Sequence, residues 1–71
     1  MAPDLDAQLL QAHAAGDKAA LITLYTQAAD QASEVDAMCF FLTHAYIFAL
    51  DVGDPRARAL HLRLKAQGRE H

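Results

Sequence analysis

The sequence predicts an all-α protein of four helices folded as two antiparallel αα-hairpins, and three observations carry that prediction. Leu21, Leu24, Tyr25 and Ala28 recur at i, i+3, i+4 and i+7, the spacing of one helix face. The dipeptide Gly-Asp occurs twice, at Gly16-Asp17 and Gly53-Asp54. It joins a residue suited to a left-handed helix end with one suited to capping the next helix. No stretch alternates apolar and polar residues as a half-buried strand does. With 71 residues the chain is one domain, residues 1–71. A domain near this size buries only roughly 60% of its unfolded surface, so its stability is marginal without help.

The punctuation places the helices at about 4–15, 18–32, 34–52 and 55–67. Pro3 and Asp4 suit a helix start, because proline presets φ and an early carboxylate favours the positive end of the helix dipole. Leu5, Leu9 and Ala12 then share a face until Gly16. Asp17 opens the second helix. Ser33 with Asp36 three residues later imitates a capping box for the third. Asp54-Pro55 reads as N-cap plus first-turn proline, and Gly68 closes the fourth helix. Ala29 to Ser33 holds no glycine or proline, so an unbroken helix from Lys18 to Val52 is the alternative at that boundary.

The apolar fraction is 54%, but alanine supplies much of it and buries little area per residue. A single cysteine, Cys39, excludes a disulfide within the chain and fits a reducing compartment. The start MAPDLDAQ is acidic and lacks the apolar segment of a secretory signal. The greasy run from Ala37 to Leu50 falls short of the about 20 residues that a membrane span needs. A small, soluble, cytoplasmic protein is the expectation. Its net charge of −3 is unevenly spread. Residues 1–54 hold eight acidic residues against Lys18, whereas residues 55–71 hold Arg56, Arg58, Arg63, Lys65 and Arg69 against Glu70. Such asymmetry suits a nucleic-acid patch, or charges that meet within the fold or between subunits.

Superposing the two Gly-Asp pairs aligns Leu5 with Leu42, Ala12 with Ala49, Gly16 with Gly53, Asp17 with Asp54 and Ala20 with Ala57. The two hairpins therefore read as an internal repeat. With Tyr25 and Ala28 in the second helix, the chain resembles the tetratricopeptide-repeat (TPR) family over Leu5 to Ala32 and Val35 to Gln67. The resemblance implies a role in binding other proteins.

Catalytic and metal chemistry find little footing. His13, His44, His61, His71 and Cys39 are the candidate ligands, but helical ligand pairs sit three or four residues apart. Cys39 and His44 are five apart, roughly 140° around the helix. Cys39 shares an arc with Val35, Leu42 and Tyr46, which makes it a core residue. His44 and Asp51 share a face but lie about 10 Å apart along the axis, too far for a direct hydrogen bond. No catalytic residue, metal, cofactor or small-molecule substrate is expected, and the chain reads as a non-enzyme. In the fourth helix Arg56 and Arg63 occupy one flank, and Arg58, His61 and Lys65 another. They form no continuous basic face, and the acidic remainder opposes phosphate, so nucleic acid is disfavoured as a partner.

The third helix carries the functional expectation. Val35, Met38, Cys39, Leu42, Ala45, Tyr46 and Ala49 form one apolar arc, widened by Phe41, Phe48 and Val52. Phe40 and Ile47 stand outside it, among Asp36, Thr43, His44 and Asp51. Either a closed bundle buries this helix centrally, or a partner covers it. We take Phe40, His44, Ile47 and Phe48 as a protein-binding surface, used for homodimerisation or for another protein.

Overall fold

The computed structural model describes residues 4–68; Pro3, Arg69, Glu70 and His71 lie outside the described residues. It contains α1 (Leu5–Ala15), α2 (Lys18–Gln31), α3 (Val35–Val52) and α4 (Arg56–Ala66), and no strand among the described residues. The protein is all-α. A break at Ala32 to Glu34 separates α2 from α3, where both Ala32 and Glu34 are extended. The continuous-helix alternative is excluded.

Both Gly-Asp turns close in the same way. Gly16 and Gly53 are left-handed, at φ 66° and 69°, a conformation that costs a side-chain-bearing residue about 1–2 kcal/mol. The Asp17 amide donates to the Ala12 carbonyl at 3.0 Å, and the Asp54 amide to that of Ala49 at 2.8 Å. The carboxylate of Asp17 then accepts from the Ala20 amide at 3.1 Å, and that of Asp4 caps α1 through the Ala7 amide at 2.8 Å.

One local expectation needs correction. Ser33 does not form a capping box, because the chain enters α3 one residue later, at Glu34, with no side-chain cap hydrogen bond. Pro55 already has helical dihedrals, yet the Asp54 side chain still accepts from the Arg56 amide at 2.8 Å.

Packing follows chain order. Among the described residues α1 packs on α2, α2 on α3 and α3 on α4, and no other helix pair brings its backbones together. The result is an open slab of 37 × 29 × 14 Å, not a closed bundle around α3. Its main core joins Ile22 and Ala29 of α2, Cys39, Leu42, Ala45 and Ala49 of α3, and Leu60 and Leu64 of α4. A smaller cluster, Ala12 with Leu21 and Leu24, fixes α1. Cys39 is a buried free thiol.

Guanidinium bridges cross the back of the slab. Arg56 donates to Thr23 Oγ1 at 2.7 Å and Arg63 to Asp30 Oδ1 at 2.8 Å. Each bridge spans 33 residues, so α2 and α4 run in the same direction on one side of α3.

Candidate interaction surface on the third helix

The face of α3 turned toward its neighbours is set by Leu42, Ala45 and Ala49, each 0% exposed. At about 100° per residue, Phe40, His44, Ile47 and Asp51 fall on the opposite face. There Phe40 is 57% exposed and Ile47 55% exposed, joined on the flank by Leu50 at 56%. A buried side chain of this size gains about 1.5–3 kcal/mol relative to exposure. The slab leaves that gain unclaimed because no helix lies over α3.

The four residues singled out in the sequence do not form one uniform patch. Phe40 and Ile47 are open, whereas His44 and Phe48 are half-buried. His44 Nδ1 donates to the Phe40 carbonyl at 2.9 Å, which fixes its position and leaves Nε2 as the acceptor of the neutral ring. The imidazole lies 4.4 Å from the Phe40 ring and 5.1 Å from that of Tyr25. Phe48 touches both core clusters and stacks on Tyr25 at 6.0 Å, with 17° between the rings.

Tyr25 and His13 complete an aromatic cluster that spacing alone does not reveal. The Tyr25 hydroxyl is hydrogen-bonded to His13 Nε2 at 2.9 Å, and the His13 ring meets Phe48 edge-on at 6.0 Å. Three helices thus meet at Tyr25. The only signal in the sequence is the run Phe41, His44, Phe48 at helical spacing. On the other side of α3, Tyr46 stacks on His61 of α4 at 5.5 Å.

The electrostatics sort the cations. Lys18 pairs with Asp51 at the end of the open face, Arg56 with Asp54 at 3.0 Å and Arg63 with Asp30 at 2.8 Å. The Arg56 side chain and amide hydrogen bonds hold the Asp54 carboxyl below its ordinary value. Arg58 and Lys65, on the other flank of α4, have no ion-pair partner among the described residues. A shallow groove lies between α1 and α2, lined by Gln8, Gln11, Ala12, Ala15, Asp17 and Ala20. Among the described residues no three His, Cys, Asp or Glu side chains converge as metal ligands.

No protein-family model, curated protein or solved structure matches the chain. By length and composition α3 is long and apolar enough to cross a membrane, since it extends beyond the run from Ala37 to Leu50 at both ends. Its 18 residues rise about 27 Å, just under the roughly 30 Å of a hydrocarbon core. Asp36 and Asp51 stand near its two ends.

Proposed function

We propose that the chain is a non-catalytic protein-interaction module that associates with a second copy of itself through the open face of α3. The observation that carries this reading is the pair Phe40 and Ile47, large apolar side chains seven residues apart, both more than half exposed. Soluble chains rarely leave such a surface uncovered without use. A marginal domain also gains the core that a subunit interface supplies. A TPR-like arrangement of two hairpins agrees with the parallel course of α2 and α4. Nucleic acid fits less well, since Arg56 and Arg63 are committed to groups within the fold. A buried cysteine and the absence of a disulfide within the chain agree with a cytoplasmic setting.

Sedimentation velocity at micromolar concentration tests the reading. The wild type sediments as a dimer. Phe40→Asp and Ile47→Asp each place a carboxylate in the interface and weaken it by about 2 kcal/mol or more, through desolvation of an unpaired charge. Helix content stays unchanged, because both side chains are exposed in the single chain. A monomeric wild type overturns the proposal.

A further inference from the structure

An ionisable side chain stands in the middle of the open face of α3. His44 lies four residues after Phe40 and three before Ile47, about one helical turn from each. It is half-buried, and its ring sits 4.4 Å from that of Phe40 and 5.1 Å from that of Tyr25. Since Nδ1 is committed to the Phe40 carbonyl at 2.9 Å, an added proton goes to Nε2.

The groups around the ring offer that proton no counter-charge. From α2 it is faced by Tyr25, whose hydroxyl is already bonded to His13 Nε2 of α1 at 2.9 Å. The two acids of α3, Asp36 and Asp51, lie eight and seven residues away, about 10 Å or more along the axis. Asp51 is moreover paired with Lys18. α4 meets the other side of α3, where His61 stacks on Tyr46. None of the ion pairs among the described residues includes His44.

A contact centred between Phe40 and Ile47 covers His44 whichever way the second copy runs. Two-fold symmetry sets the middle of one α3 against the middle of the other. The partner's His44 then arrives at the same height, and the acids of the second α3 again stay about 10 Å or more away along the axis. We propose that His44 makes self-association depend on pH: the interface takes up the neutral imidazole and rejects the imidazolium. Attraction to the neighbouring rings does not reverse this. A ring face favours a cation by a factor of about two to five, whereas taking an ion out of water costs roughly a hundredfold or more. Two imidazoliums brought to one height also repel each other.

This rests on the self-association reading, and the response to pH separates the two. Sedimentation velocity is run on the full chain at pH 8 and pH 5.5, the window in which histidine changes charge, with folding checked by circular dichroism. A buried imidazolium sheds its proton rather than remain charged, so acid competes with assembly. The dissociation constant of the wild type rises about tenfold or more at the lower pH. His44→Gln and His44→Leu, which cannot be protonated, dimerise at pH 8 and shift less than about twofold. His61→Gln keeps the wild-type response. A wild-type dimer equally tight at both pH values, or a shift that survives in both His44 variants, overturns the role of His44 while leaving self-association intact. Loss of the dimer at pH 8 in both His44 variants overturns it too, because the interface then needs more than a neutral side chain there. A wild type that stays monomeric at both pH values removes both readings.

Discussion

Because backbone packing among the described residues joins only consecutive helices, the slab need not unfold as one body, and Phe48 offers the means to test this. Phe48 is the α3 side chain that packs with the α1 cluster and with the main core alike. Truncation of a fully buried phenylalanine costs about 3–5 kcal/mol; half-buried Phe48 stands to lose about 2 kcal/mol as alanine. Roughly half of that loss falls on α1, through the contacts with His13 and the cluster of Ala12, Leu21 and Leu24. An 11-residue helix has little stability of its own, so α1 opens locally. A loss of about 1 kcal/mol raises the open population about fivefold. Native-state hydrogen exchange followed by NMR reads it directly: in Phe48→Ala the α1 amides exchange about fivefold faster at zero denaturant. Leu64→Ala is the control, since Leu64 is 1% exposed and belongs to the α3–α4 side of the core. It accelerates exchange in α4 and leaves α1 nearly unchanged. Identical responses of α1 and α4 to both substitutions would refute the reasoning and show one cooperative unit.

Two more expectations follow from burial and charge. Leu42→Ala empties a site that is 0% exposed and destabilises the chain by about 2–5 kcal/mol in urea unfolding, whereas Phe40→Ala, two residues earlier, changes the stability of the monomer by less than about 0.5 kcal/mol. By NMR the Asp54 carboxyl titrates below the ordinary aspartate value and moves up toward it in Arg56→Gln, because hydrogen bonds from Arg56 lower its pKa. The sign follows: the stabilisation is present at neutral pH, begins to fade as pH falls through the unfolded aspartate value near 3.9, and is gone below the folded one.

Local chemistry was readable wherever it depended on a few neighbouring residues. The Gly-Asp turns, the split of α4 into an Arg56–Arg63 flank and an Arg58–Lys65 flank, and the buried arc through Cys39, Leu42, Ala45 and Ala49 all follow from spacing. Val35 and Val52 belong to that arc by angle, yet both are exposed. The reason is length: α3 has 18 residues and α2 only 14, so the ends of α3 overhang their neighbour by about 6 Å in total. Leu62 is exposed, because among the described residues the array ends at α4. The meeting of His13, Tyr25 and Phe48 depends on how three helices converge, and no single-helix period encodes that.

The two guanidinium bridges across the back also bear on the shape of the front. α3 rests between α2 and α4 like a ridge beam on two rafters, and Arg56 and Arg63 act as tie rods between them. Drawing the rafters together steepens the ridge and makes the open side more convex; slackening the ties flattens it. The Arg63–Asp30 bridge reaches solvent, with side chains 38% and 58% exposed, so dissolved salt competes with it directly. Ionic strength thereby becomes a control on curvature, set from the face opposite the one that carries Phe40 and Ile47.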